Sequence, residues 1–194
     1  MRRLSIAMMG MLLVPWTAQA TLLDFEDLQD LDAVASQYST QGVTFDNAIA
    51  LTAGFSLNEF DYPTASGQMA IGDDGGPLVI NFANVTDSIS AYFTYGSQLT
   101  FSAYDAAGAL LGSMVNAGFD NLGSSELISL DFVGVSSLRI AGEWDGSFIM
   151  DDLNFNSVAP VPAPETLSLM GLAWGAMLLQ RRRAAGRNAE RSPV

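Results

Sequence analysis

Ser88-Ile89-Ser90-Ala91-Tyr92-Phe93-Thr94-Tyr95, then Gly96-Ser97-Gln98, then Leu99-Thr100-Phe101-Ser102-Ala103-Tyr104 is the stretch that decides the fold. Ile89, Ala91, Phe93 and Tyr95 fall on one side of an extended chain, with Ser90, Tyr92 and Thr94 on the other. Leu99, Phe101 and Ala103 repeat the alternation. A period of two marks strands with one buried face. Parity also selects a turn. A two-residue loop would oppose Phe93 to Thr100, whereas a three-residue loop opposes Phe93 to Phe101 and Tyr95 to Leu99 and keeps one apolar face whole. The expected element is therefore a hairpin over 89–103.

The same pattern extends both ways. Leu78, Ile80 and Phe82 alternate with Val79 and Asn81, after a turn at Gly72-Asp73-Asp74-Gly75-Gly76 whose residues tolerate positive φ. Val43–Asp46, Ala48–Leu51 and Met69–Ile71 read as short strands, with a long loop over 53–67. Beyond the hairpin, Asp105-Ala106-Ala107-Gly108 is a turn and Ala109–Val115 a strand. Asn116–Ser125 is a Gly-rich loop, and Leu127–Phe132, Ser137–Ala141 and Ser147–Phe155 complete the strands. Near the start, Thr21–Glu26 forms a first strand with Leu23 and Phe25 on one face. Asp27 then caps a short helix carrying Leu28, Leu31, Val34 and Tyr38 at helical spacing. Many short strands, one short helix and no βα alternation define an all-β class, an antiparallel β-sandwich of jelly-roll type.

Composition narrows the chemistry. The 194-residue chain has no His and no Cys, and all eight of its basic residues are Arg. Only Arg139 lies between Thr21 and Pro160, against nineteen acids, giving that span a net charge of −18. Phosphate backbones require Lys and Arg, so nucleic acid is excluded as a partner. Without His, Cys or Lys, thiol nucleophiles, Ser-His-Asp triads, Schiff bases and nearly all zinc chemistry are gone. The expectation is a non-enzyme. An exported protein without Cys also has no disulfides, and its core must stabilise it.

Both ends read as delivery signals. Met1–Ala20 has Arg2 and Arg3, the apolar Leu4–Val14 and small residues at Ala18-Gln19-Ala20, which together form a signal peptide cleaved before Thr21. Residues 21–157 are the sandwich domain. Residues 158–166, with Pro160, Pro162 and Pro164, are a stiff spacer. Residues 167–180 are a hydrophobic transmembrane helix, and 181–194 an Arg-rich cytoplasmic tail. Thr166–Gln180 spans about 22 Å as a helix, short against about 30 Å of hydrocarbon. Arg181, Arg182 and Arg183 hold the C-terminus in the cytoplasm.

Val161-Pro162-Ala163-Pro164-Glu165, the apolar helix after it and Arg181-Arg182-Arg183 resemble the PEP-CTERM family of exported bacterial proteins. The resemblance covers the last fifth of the chain, and Thr166 stands where the second proline of the motif usually sits. It implies an exosortase as processing partner, after signal peptidase and the secretion machinery. It also implies passage through the inner membrane of a Gram-negative bacterium to the cell surface or extracellular matrix. On this reading the chain is a sorting substrate with a structural or adhesive role.

Two further constellations concern ligands. In the strand Ser147–Phe155, Asp151 shares parity with Ile149, Leu153 and Phe155, so it is expected to face the core. A carboxylate there needs a cation, Arg139 or several N–H donors. If the first and last strands run side by side, Asp24, Asp151 and Asp152 could form a calcium site, calcium being suited to carboxylates and carbonyls in loops. The alternative is a solvated acidic edge that deters strand pairing. Asp73 and Asp74 are a second candidate pair. For extracellular polysaccharide the candidates are Tyr92 and Tyr104, expected on the outer face of adjacent strands and diagonal to one another, and Trp144, the one tryptophan outside the two targeting ends, against the alternative of cross-strand packing. Glu143 and Asp145 flank Trp144 and would be the carboxylates of a hydrolase, which the composition disfavours.

Overall fold

Leu78 to Tyr95 contains no proline and forms a single 18-residue strand, alternating over 78–82 and again, with the opposite parity, over 89–95. This strand organises the domain. The computed structural model describes residues 19–157, in which eleven strands run in chain order. They are β1 (Gln19–Leu23), β2 (Ala33–Val34), β3 (Val43–Asp46), β4 (Ala48–Thr52), β5 (Met69–Asp73), β6 (Leu78–Tyr95), β7 (Thr100–Tyr104), β8 (Leu110–Val115), β9 (Glu126–Leu130), β10 (Val135–Ala141) and β11 (Phe148–Ser157). Every pairing between these strands is antiparallel, and hydrogen bonds connect them all. The fold is all-β. The segments expected as spacer, membrane helix and Arg-rich tail lie outside the described residues, as does the signal segment apart from Gln19 and Ala20, which pair with Ser157 and Asn156.

β6 serves two neighbourhoods. Its first half, Leu78–Phe82, lies between β3 and β10, while Ile89–Phe93 lies between β9 and β11. Between them, Thr86 is buried and its hydroxyl donates to the Asn156 carbonyl at 2.5 Å. The two parts of the sheet face each other over one apolar core. Phe93 of β6 meets Phe101 of β7 edge-on at 5.3 Å between ring centroids, and Phe82 meets Phe155 at 5.3 Å. At the end near β1, Phe25, Tyr38 and Phe45 form a second aromatic group, with centroids 5.6 to 6.2 Å apart and all edge-on.

The hairpin expected over 89–103 is not there. β7 pairs with β8 and β10, not with β6. Phe93 and Phe101 do meet, but across the core instead of across a ladder. Both arrangements place the same residues inside, so alternation could not separate them.

The expected helix after Asp27 is also absent: among the described residues the one helical element is a 3-10 turn at Ser39–Gln41. Local spacing loses here to pairing with β4. The Leu31 amide donates to the Ala50 carbonyl at 2.8 Å, the Ala50 amide to Asp32 at 2.9 Å, and Val34 pairs with Ala48. Leu31 is left 60% exposed with φ of 62°. The Asp27 carboxylate accepts from the Tyr38 hydroxyl instead of capping a turn.

Candidate functional site

β1 and β11 run side by side as expected, with Leu23 opposite Leu153. The calcium site proposed from that adjacency does not assemble. The reason is a bulge. Asp152 takes φ of 49°, and the ladder between β11 and β6 shifts between Asp151 and Asn154. An extra residue reverses strand parity. Phe148 and Met150 therefore share the main core with Leu153 and Phe155, while Ile149 and Asp151 point to the other side of the sheet.

The loop over 53–67 covers that other side. Its Leu57 and Tyr62 pack on Leu51, Ala70 and Ile149, a small apolar layer separate from the main core. Carboxylates hold the loop down. Asp151 is 1% exposed. Its Oδ2 accepts from the amides of Ala65 at 2.8 Å and Ser66 at 2.9 Å, and its Oδ1 from the amide of Asp152 at 2.7 Å. The Ser66 hydroxyl donates to Asp152 Oδ1 at 2.9 Å. Glu26 Oε1 accepts from the amides of Gln68 and Met69 at 2.9 and 2.8 Å. Of the three partners open to Asp151, the structure uses N–H donors. Arg139 is exposed on β10, and Asp24 is exposed in the turn after β1. Among the described residues, no three or more His, Cys, Asp or Glu side chains form a group able to hold a metal ion.

Burial pushes the Asp151 carboxyl up to about 6, against the downward pull of the Ser66 amide and with the Asp152 charge adding to the rise. A folded-state value above the unfolded one means that the native form binds the proton more readily. The stability contributed by that proton is complete below the unfolded value near 3.8 and lost as pH rises through about 6. Asp73 is raised as well, again chiefly by burial, so it acts in the same direction. Asp30, lowered by the Ser56 hydroxyl, opposes only in the range below its ordinary value. The melting temperature is therefore expected to rise between about pH 7.5 and about pH 5, and Asp151→Asn to flatten that rise. A melting temperature that falls over this interval would contradict the assignment.

The second region is a cleft at the other end of β11. Its volume is about 230 Å³, and it is lined by Asp73, Pro77, Ala141, Gly142, Glu143, Trp144 and Asp145. Two tight turns build it, one after β5 and one between β10 and β11. Gly75 and Gly146 supply φ of 75° and 74° there, conformations that cost a side chain energy. The Gly146 amide donates to Asp73 Oδ2 at 2.9 Å, and Asn47 Nδ2 to the Pro77 carbonyl at 3.2 Å. Trp144 is 51% exposed at this cleft, and Glu143 and Asp145 beside it are exposed.

The three aromatic residues named for polysaccharide are not gathered. Tyr92 pairs with Asp151 and Leu127, Tyr104 with Ser137 and Leu110. Both are half-buried, and they stand on strands that share no ladder. The expected adjacency depended on the hairpin and disappears with it. Trp144 keeps a cleft without them.

This is an all-β antiparallel domain with an acidic, aromatic-bearing cleft and no described group of metal ligands. No family model matches the chain, and no curated protein does. Among solved structures it is similar to a DUF4465 family protein from Bacteroides caccae, at 11% identity and a TM-score of 0.46, covering 72% of this chain and all of that one. It is also similar to the tandem CBM22 domains of Paenibacillus barcinonensis Xyn10C, at 12% identity and a TM-score of 0.42, covering 77% of this chain and 48% of that one. A third is the carbohydrate-binding module CBM6cm-2 of Cellvibrio mixtus lichenase 5A, in complex with cellotriose, at 13% identity and a TM-score of 0.34, covering 68% and 100%. None of these TM-scores reaches 0.5, and they assign neither a family nor a ligand.

Proposed function

We propose that this chain is an exported, non-enzymatic surface or matrix protein whose domain, a jelly-roll-like β-sandwich, binds neutral extracellular polysaccharide at the Trp144 cleft. The observation that carries the reading is the half-exposed indole beside a cleft walled by Asp73, Glu143 and Asp145. An indole offers a flat apolar face to a sugar ring, and carboxylates accept from its hydroxyls. The cleft is smaller than the roughly 300–1,000 Å³ typical of small-molecule pockets, which suits one ring or a chain end. The charge of −18 between Thr21 and Pro160 repels anionic polymers and leaves neutral ones. The lack of His, Cys and Lys supports a binding role over catalysis.

Delivery belongs to the two ends. On this proposal Met1–Ala20 is removed on export, and the PEP-CTERM-like tail, Val161-Pro162-Ala163-Pro164-Glu165 with Arg181, Arg182 and Arg183, is processed by an exosortase. Mass spectrometry of the secreted product tests this part. A product beginning at Thr21 and lacking 181–194 is expected, and an intact Met1-to-Val194 chain would refute it.

A glycan array with wild-type protein and Trp144→Ala tests the binding part. The variant is expected to lose binding by on the order of tenfold or more, with stability unchanged within about 0.5 kcal/mol because the side chain is at the surface. Equal binding by the two proteins removes the cleft from the proposal.

A further inference from the structure

We propose that the Asp73 end of the Trp144 cleft binds a divalent cation of the calcium type. Asp73 closes β5, is 9% exposed and lines the cleft. Its two carboxylate oxygens are treated differently. Oδ2 accepts from the Gly146 amide at 2.9 Å, while Oδ1 is enclosed and has no hydrogen-bond donor from another residue. By contrast, the similarly buried Asp151 has a donor on each oxygen. Buried polar atoms are nearly always paired, so an orphaned carboxylate oxygen indicates a missing partner.

The surroundings say which kind. The neighbouring charges are negative: Asp74 and Asp145 both act on Asp73. The one basic residue within 19–157, Arg139, is on β10 between Val79 and Ser102, with its side chain exposed. A positive ion answers the unpaired oxygen and the neighbouring acids together. With no His or Cys in the chain, soft-metal coordination has no ligands here. Magnesium demands near-ideal octahedral geometry, whereas calcium accepts irregular sets of carboxylates, backbone carbonyls and water. Asp73 and Asp145 would supply the carboxylates, and carbonyls and water the remainder. Two carboxylates are fewer than the three or more side-chain ligands of a fully built site, and none of that size occurs among the described residues. The ion would tie the turn after β5 to the turn between β10 and β11, the two that build the cleft.

Calorimetric titration of the full chain with CaCl2, with MgCl2 as comparison, tests the site together with melting curves in CaCl2 and in chelator. One saturable calcium site is expected, with weaker response to magnesium. The melting temperature should rise by about 5 °C or more when calcium is about 100-fold above its dissociation constant. Asp73→Asn and Asp145→Asn should each weaken binding by about tenfold or more, and Asp131→Asn, an exposed acid before the end of β10 away from the cleft, should not. Asp145 is exposed, so its variant tests the ion without disturbing the core. No binding at millimolar calcium, or equal binding by wild type and both Asn variants, overturns the proposal. Neither result depends on glycan binding, which Trp144→Ala tests by itself.

Discussion

Replacing Asp151 by alanine is expected to destabilise the domain by about 2–4 kcal/mol at neutral pH. The substitution removes a charge whose burial is costly, so part of the loss is returned. What remains is larger. The amides of Ala65, Ser66 and Asp152 are left without acceptors beneath a loop that also shields Ile149, Ala70 and Thr94 from water. Each orphaned buried amide costs about 1–3 kcal/mol. Urea unfolding at pH 7 measures the total, and limited proteolysis reports where it acts. Cleavage should concentrate in 53–67, because that loop is held at Ala65 and Ser66 by Asp151 and Asp152, with Glu26 fixing only Gln68 and Met69 after it. Asp151→Asn should cost less, since one carbonyl oxygen can still accept from one side of the site. A loss below about 0.5 kcal/mol in the alanine variant would mean that the loop is held by its apolar contacts alone.

Phe93→Ala should cost about 3–5 kcal/mol, a large part of the stability of a domain this size. Phe93 is 2% exposed and touches rings on two strands, Phe101 at 5.3 Å and Phe148 at 6.3 Å between centroids. Truncation leaves a cavity between the facing parts of the sheet. The informative measurement is the double-mutant cycle with Phe101→Ala. An edge-on aromatic pair is coupled by about 0.5–1.5 kcal/mol beyond burial. Strict additivity would show that the two rings do not meet across the core.

Legibility followed periodicity. From Leu78 to Ala103, the residues placed inside by alternation are inside, from Leu78, Ile80 and Phe82 through Ile89, Ala91, Phe93 and Tyr95 to Leu99, Phe101 and Ala103. The short strands Val43–Asp46 and Ala48–Thr52 were legible for the same reason. Thr94 was not. Its parity puts it on the outer face, yet it is 1% exposed, because its hydroxyl donates to the Pro63 carbonyl at 2.9 Å under the loop. Nothing in 53–67 announces a cover, although Leu57, Tyr62 and Pro63 are a hint that the loop is not fully solvated.

The candidate sites divided along the same line. Asp151 stood out as a carboxylate in an apolar strand, and the need for partners was correct. Its direction was not, because a single residue in the left-handed region, Asp152, reverses parity midway along β11. The cleft was half legible. Trp144, Glu143 and Asp145 are adjacent in sequence, but Asp73 joins them from seventy residues away through its bond to Gly146.

The chain by itself determined the apolar faces of its central strands, the excess of negative charge, and the chemistry closed by the lack of His, Cys and Lys. Those properties are local or additive, so order and composition carry them. Tertiary structure alone decided which strands are neighbours, what covers the outer face over Asp151, and which acids share a cleft with Trp144. Hydrogen-bonding edges are chemically alike from strand to strand, and only the closing of one common core selects among the pairings that alternation allows.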